Sequence, residues 1–477
     1  MSFIQDSFYS RWRIQSGLVI LHENTDSPPE RLLQTIWQHQ RLLRDQLTTL
    51  DGQPVRVLHP GFHNVEGGPD FRRAVVQFGE ETPRQGDVEV DLRSSGWRSH
   101  GHDVNPAFRN VVLHVVWESE RAAAGAPPLI CIRHVLDSPL GELSLWLGGE
   151  AAPGFPEMLR GDCCAPLRKL SSHRLIELLH QAAHVRLRSK AALFQARARQ
   201  VGWEQSLWEG LFRALGYKHN VWPMQRLGEL RPRWLIAGNK SLSLQARLLG
   251  LSGLLPAELA GRPNDNRSYL RQIWDQWWRE RDSFADVILP RVAWRLHGLR
   301  PANHPERRLA LAAGWSTVGP LAASLQQWCA ADLKQKQMCS ALCADFQVAP
   351  DDFWSWHWTL RSPRLKKRQP WLGETRVADL AMNVVIPWLW TRAAEGKSHT
   401  VQQRLEDRYF HWPPAEDNSI LRLARQRLLG SADTAWLPGA AAQQGLLQLV
   451  RDFCDQSDSL CRQCKLPSLV KEFATLK

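Results

Sequence analysis

The chain has 477 residues, 43% hydrophobic and 23% charged, the balance of a soluble globular protein too long for one core, so two or three domains are expected. Its net charge of +12 is carried mostly by arginine, which favours nucleic acid as a partner because the guanidinium fork grips phosphate with two hydrogen bonds; a GC-rich genome produces the same arginine excess. No run approaches the roughly 18 apolar residues of a membrane span, and the opening MSFIQDSFYSRWRIQ lacks the regions of a secretory leader, which points to the cytoplasm and to no membrane partner.

Residues Pro29 to Leu50 read as helical: proline, then acid, then apolar residues at helical spacing in PPERLLQTIWQHQRLL. After the turn DGQP the pattern changes. VRVLHPG, RRAVVQFG, GDVEVDLR, NVVLHVVWE and PLICIRHVL predict five short strands bounded by Gly, Pro and Asn. RNVVLHVVW is apolar except for polar residues at its start and His114, the pattern of a strand covered on both faces. These elements predict a mixed-sheet α/β domain over residues 1–150. A mostly α-helical domain over residues 165–450 follows, so the fold class is α+β. Its long opening helix is SSHRLIELLHQAAHVRLRSKAALFQARARQ. Further helices are predicted around Glu204–Leu215, Ser241–Leu255, Asn266–Arg281, Glu306–Leu311, Ala322–Leu333 and Val377–Trp390, with RSPRLKKRQPW as a basic loop. Residues 451–477 form a cysteine-containing tail.

The strand GDVEVDLR alternates Val88, Val90 and Leu92 with Glu89, Asp91 and Arg93. Residues two apart on a strand share a face about 6–7 Å apart, so the second set lines one side. That side is either a solvated face cross-linked by ion pairs or a site. GGPD makes a turn at the mouth of the preceding strand, and the turn GEETPRQG then returns the chain as a hairpin, which places Asp70 beside Glu89. Convergent carboxylates are what Mg²⁺ or Mn²⁺ takes, and Arg93 on the same face would position phosphate or water. His100 and His102, with His63, Glu66 and His114, offer a transition-metal alternative, while His114 also suits a hydrogen-bonded core histidine.

Pro69–Asp70 before one strand and Glu89 on the next resemble the PD-(D/E)XK nuclease superfamily over about residues 30–135. The resemblance implies metal ligation by Asp70 and Glu89 and cleavage of nucleic acid. Where that superfamily carries lysine, this chain carries Asp91, and Arg93 stands two residues on. GPDF, GDVEVDLRSSGW, HGHDVNPAFRNVVLHVV, LFRALGYKHN, RLHGLRPANHPERRL and QGLLQLVRDFC look like a large bacterial family of unknown function, a likeness that spans nearly the whole chain and brings no activity with it.

Nine cysteines in a chain expected to be cytoplasmic suggest thiols or metal ligands rather than disulfides. Cys454, Cys461 and Cys464 are spaced C-x6-C-x2-C, the kind of cluster that holds Zn²⁺ or an iron–sulfur centre; Cys163, Cys164, Cys339 and Cys343 are the candidates for a fourth ligand. The alternative is a set of buried thiols acting as small apolar groups. RLRSKAALFQARARQ and RLKKRQPW are basic enough to follow a phosphate backbone, the second with a Trp to stack on a base. The 23 tryptophans otherwise fill cores. GKSHT lacks the upstream glycine of a phosphate-binding loop and reads as an ordinary loop. The expected function is a metal-dependent nuclease or phosphodiesterase, with a non-catalytic basic nucleic-acid-binding or scaffold protein of degenerate nuclease fold as the alternative.

Overall fold

The computed structural model describes residues 7–16, 28–64, 67–119, 125–140, 143, 161–217, 219–236, 238, 240–256, 267–415, 417, 419–430, 437–454, 461 and 464–476. Two short helices, α1 (Phe8–Gln15) and α2 (Glu30–Gln38), precede a six-stranded mixed sheet. Its strands are β1 (Val55–His59), β2 (Phe62–His63), β3 (Phe71–Phe78), β4 (Arg84–Arg93), β5 (Val111–Glu118) and β6 (Leu129–Cys131). The order is β1-β3-β4-β5-β6, with β2 beside β3. β3 and β4 are antiparallel across the expected hairpin, whereas β4–β5 and β5–β6 are parallel. All five predicted strands are present, and the helical remainder makes the chain α+β.

A parallel pair needs a crossover of about a dozen residues or more. Between β4 and β5 that crossover is residues 94–110, which hold only α3 (Gly96–Ser99) and one 3₁₀ turn, Pro106–Phe108. With no long helix to carry it away, the crossover lies on β4. Helix α2 also packs against β4, through an apolar stripe at Leu33, Ile36 and Trp37. The helix expected over Pro29–Leu50 stops after Gln38; a 3₁₀ turn at Arg44–Gln46 follows.

The chain divides into two compact units, Met1–Leu193 with Tyr409–Lys477, and Phe194–Arg408. This differs from the boundary expected near residue 150, which lies outside the described residues. Helix α1 does not join the sheet. Tyr9 and Trp12 enter a helical core with Leu175, Leu179, Leu446, Phe453 and Phe473. Among the described residues of the cysteine-containing tail and its start, Val450–Cys454 is a fully buried π-helical turn, and the helix Leu466–Thr475 buries Leu466, Leu469, Val470 and Phe473. Both segments are too short for a periodic pattern to reveal which core they enter. The second unit is helical, and its helix Pro305–Trp315 is buried along its whole length. The basic segment 361–371 is loop and turn, as expected. Among the described residues, no helix is long and apolar enough to cross a membrane.

Candidate functional site

β4 occupies the middle of the sheet, and both of its faces are covered. Val88 and Val90 are fully buried on one side; on the other, Asp87 and Glu89 are each 7% exposed and Asp91 is 1% exposed. The carboxylate face is therefore not a solvated one, and burying three acids demands partners for each. Asp87 finds one in the backbone of β3. The β3–β4 register slips between Phe71 and Ala74, Arg73 adopts φ +59°, and its amide donates to Asp87 Oδ1 at 3.0 Å. Asp87 thus stabilises a bulge.

Asp70 and Glu89 clasp each other across the hairpin. The Asp70 amide donates to Glu89 Oε2 at 3.0 Å, and the Val90 amide donates to Asp70 Oδ2 at 3.1 Å. Gln34, one turn after Glu30 on α2, donates to Asp70 Oδ1 at 2.9 Å. Burial pushes both carboxyls well above the ordinary range. Asp70 and Asp91 raise Glu89 further, and Glu30 raises both. Burial and mutual repulsion thus favour the protonated forms of this coupled pair.

The crossover supplies the opposing groups. His102 Nε2 lies 3.2 Å from Glu89 Oε1, and His100 Nδ1 lies 3.2 Å from Asp91 Oδ1. His114, pointing from β5, places Nε2 2.9 Å from Asp91 Oδ2. Trp97 packs its ring against His102 and His114, and Phe108 stacks on His102 at 4.0 Å between centroids. Gly96 is required here: a Cβ would sit 2.7 Å from the Asp91 carboxyl carbon. One ligand atom each from Asp91, His100 and His102 falls within 4.8 Å of the others, the one such metal-ligating group among the described residues. Burial pushes the His102 imidazole below its ordinary range, which favours the neutral ring that a metal ligand requires, and its Nε2, 3.2 Å from Glu89 Oε1, has no aligned hydrogen bond. His100, with 53% of its side chain exposed, opens the group to solvent. The donor set of one carboxylate and two imidazoles fits a transition-metal divalent ion better than Mg²⁺, which takes oxygen.

Asp70, Glu89 and Asp91 thus lie in one cluster, but with different partners. Asp70 and Glu89 are engaged with each other and with backbone amides, while Asp91 faces the histidines. Arg93 is not part of it: its side chain is 62% exposed and reaches Glu118 at 4.0 Å, beside the Arg133–Glu118 pair. Arg93 is the last residue of β4, paired with Glu118 of β5, and its side chain lies exposed at the end of the strand. His63 packs edge-on against Phe71, outside the converging group, and Glu66 lies outside the described residues. In the sequence Glu30 and Gln34 signal only a helix; their i, i+4 spacing is the one hint that they share a face. Trp371, expected to stack on a base, is buried, with its indole N–H donating to Ala349 O.

The chain belongs to the family described as "Protein of unknown function (DUF2851)", which its residues 30–419 match. No curated protein and no solved structure matches it.

Proposed function

We propose that the sheet carries a divalent-metal-dependent phosphodiesterase that cleaves nucleic acid, with Asp91, His100 and His102 as ligands and Asp70–Glu89 as the adjoining proton-handling pair. The convergence of those three ligand atoms within 4.8 Å, beside a carboxylate pair whose protonated forms are favoured, is the observation that supports it most. Mn²⁺ suits the donor set; when bound, such an ion polarises water and offsets charge on the phosphoryl group. The protein's own contributions follow from its contacts. His114 fixes the orientation of Asp91. Glu89 and Asp70 hold or accept a proton near neutral pH, the range in which general acid–base groups work best. Exposed Arg73 and Arg109 border a shallow recess at Asp87, two residues along the strand face from Glu89, where a phosphate backbone would find cationic contacts. The net charge of +12 supports the same class of partner.

The test is incubation of the full chain with single- and double-stranded DNA and RNA in Mn²⁺ or Mg²⁺, beside Asp91→Asn, His102→Gln and Glu89→Gln. Cleavage by wild type should fall by roughly a hundredfold or more in the ligand variants. Equal cleavage by wild type and Asp91→Asn would refute the proposal. The presence of Asp91 at the lysine position favours a second reading, a non-catalytic nucleic-acid-binding protein of degenerate nuclease fold. It predicts salt-sensitive binding without turnover.

A further inference from the structure

Away from the sheet, the helical core of the same unit gathers cysteines from three segments. Cys163 caps the short helix Cys164–Lys169, Cys454 ends the π-helical turn Val450–Cys454, and Cys461 and Cys464 precede the helix Leu466–Thr475. Cys163 and Cys454 are buried in one core, and Cys464 packs against it. The Cys464 amide donates to the Cys461 carbonyl at 3.2 Å, closing the C-x2-C turn. Cys461 has φ +77°, a left-handed conformation that costs a residue with a side chain about 1 kcal/mol or more. Arg427 ties these segments together: its carbonyl accepts from the Gly161 amide at 3.0 Å, and its Nη2 lies 3.6 Å from Cys461 Sγ. Cys454, Cys461 and Cys464 all act electrostatically on Cys163, whose thiol burial already pushes well above its ordinary range.

Small apolar filler would account for buried thiols one at a time. It does not account for three other cysteines lying close enough to act on Cys163, for the strained turn at Cys461, or for a guanidinium aimed at sulfur, which stabilises a thiolate and gains little from a neutral thiol. None of the nine cysteines is in a disulfide.

We propose that Cys163, Cys454, Cys461 and Cys464 form a four-thiolate centre for a thiophilic metal, which pins the C-terminal helix to the helical core. Loading displaces the thiol protons, so four neutral side chains become four ligands and the cost of burying them charged is met by the metal. No three of these sulfurs close to within 4.8 Å of one another. A single zinc ion with Zn–S bonds of about 2.3 Å draws its four thiolates to about 3.8 Å apart. The wider set suits an iron–sulfur cluster, whose thiolates bind separate irons.

The experiment is anaerobic purification of the full chain, followed by iron, acid-labile sulfide and zinc analysis and a visible spectrum. Iron and sulfide in cluster stoichiometry are expected, lost in Cys163→Ser and Cys464→Ser and kept in Cys339→Ser. Zinc at one per chain, lost in the same two variants, would keep the four-thiolate centre and make its occupant a single ion. Wild-type protein without metal, or metal content unchanged in both variants, overturns the proposal. A second measurement needs no variant: stripping the metal from wild type should lower Tm and raise amide exchange in Leu466–Thr475. Unchanged exchange there would equally overturn it.

Discussion

Two of the clusters in which the molecule buries charge are built differently. In the second unit, Arg307 and Arg308 sit inside the fold with Glu306 and His304 beside them. Arg307 donates to the carbonyls of Trp354, His357, Gln369 and Pro370, and Arg308 donates to that of Trp371. Glu306 accepts from the Leu360 amide at 2.7 Å. These charges hold an irregular segment whose carbonyls would otherwise lack partners. On β4, carboxylates meet other carboxylates and imidazoles, and one imidazole opens to solvent. Perturbed acidity does not separate the two: burial also raises Glu306 to about 7 and lowers His304 to about 4. Nor do unpaired polar atoms, since His102 Nε2, Arg307 Nε, Arg308 Nε and His304 Nδ1 are all buried without an aligned hydrogen bond. What separates them is convergence: the arginines spend their terminal nitrogens on backbone carbonyls, whereas Asp91, His100 and His102 bring ligand atoms within 4.8 Å of one another.

The largest effect should fall on the structural cluster. Arg307→Met leaves several buried carbonyls unpaired and should cost about 3–5 kcal/mol by chemical denaturation, with Mn²⁺ binding at the sheet unaltered. If the variant stays folded but loses Mn²⁺ binding, the two clusters are not independent and the comparison breaks. Next is Gly96→Ala. Its Cβ would press on the Asp91 carboxyl at 2.7 Å, so about 1–3 kcal/mol should be lost together with metal affinity, measured by calorimetry. Retained affinity would mean that Asp91 moves without consequence and is no ligand.

Glu89→Gln sharpens the comparison through pH. The folded carboxyl titrates well above its unfolded value near 4.5. The folded protein therefore holds a proton that the unfolded chain has released, and wild-type stability falls as pH rises through neutral towards the folded value. The slope from this proton is at most about 1.4 kcal/mol per pH unit. The amide of the Glu89→Gln variant does not titrate, so its curve, in metal-free buffer, should be flatter, with its advantage growing from pH 5 to pH 8. Parallel curves would mean that Glu89 is an ordinary ionised carboxylate, and the proton-handling pair would be lost with it.

Much of the sheet was legible because strands carry their own period and turns their own residues. β1, β3, β4 and β5 each fall within two or three residues of the expected bounds. The hairpin then sufficed to bring Asp70 to Glu89. Parallel pairing of β4 with β5 was not legible, because nothing local records it. That pairing folds residues 94–110 over β4, so the sequence offers His100 and His102 as candidate transition-metal ligands without showing that they meet Asp91 and Glu89. Likewise α1 and Leu466–Thr475 enter the helical core through contacts distant in sequence, such as Tyr9 Oη donating to Asp452 Oδ2 at 2.6 Å. The alternation that placed Arg93 with Glu89 and Asp91 makes a buried face only while the strand stays covered, and Arg93, though paired with Glu118, is the exposed last residue of β4.

The smallest predicted effect is therefore the most direct check on where the site stops. Arg93→Ala removes a largely exposed side chain with one long contact to Glu118, which keeps Arg133 as its partner. Exposed pairs contribute about 0–1 kcal/mol, so stability should change by less than about 0.5 kcal/mol. Cleavage should stay within twofold of wild type, because no atom of the converging group depends on that guanidinium. Had the sequence periodicity continued, the same variant would remove the one cation facing the phosphoryl group and would cost several kcal/mol of transition-state stabilisation. A hundredfold loss of cleavage at unchanged Tm would thus return Arg93 to the site and would mean that the terminal residues of β4 close over the bound substrate. An unchanged rate keeps cation contact with substrate at Arg73 and Arg109, whose double alanine variant should weaken binding and flatten its salt dependence while leaving the metal-bound rate alone.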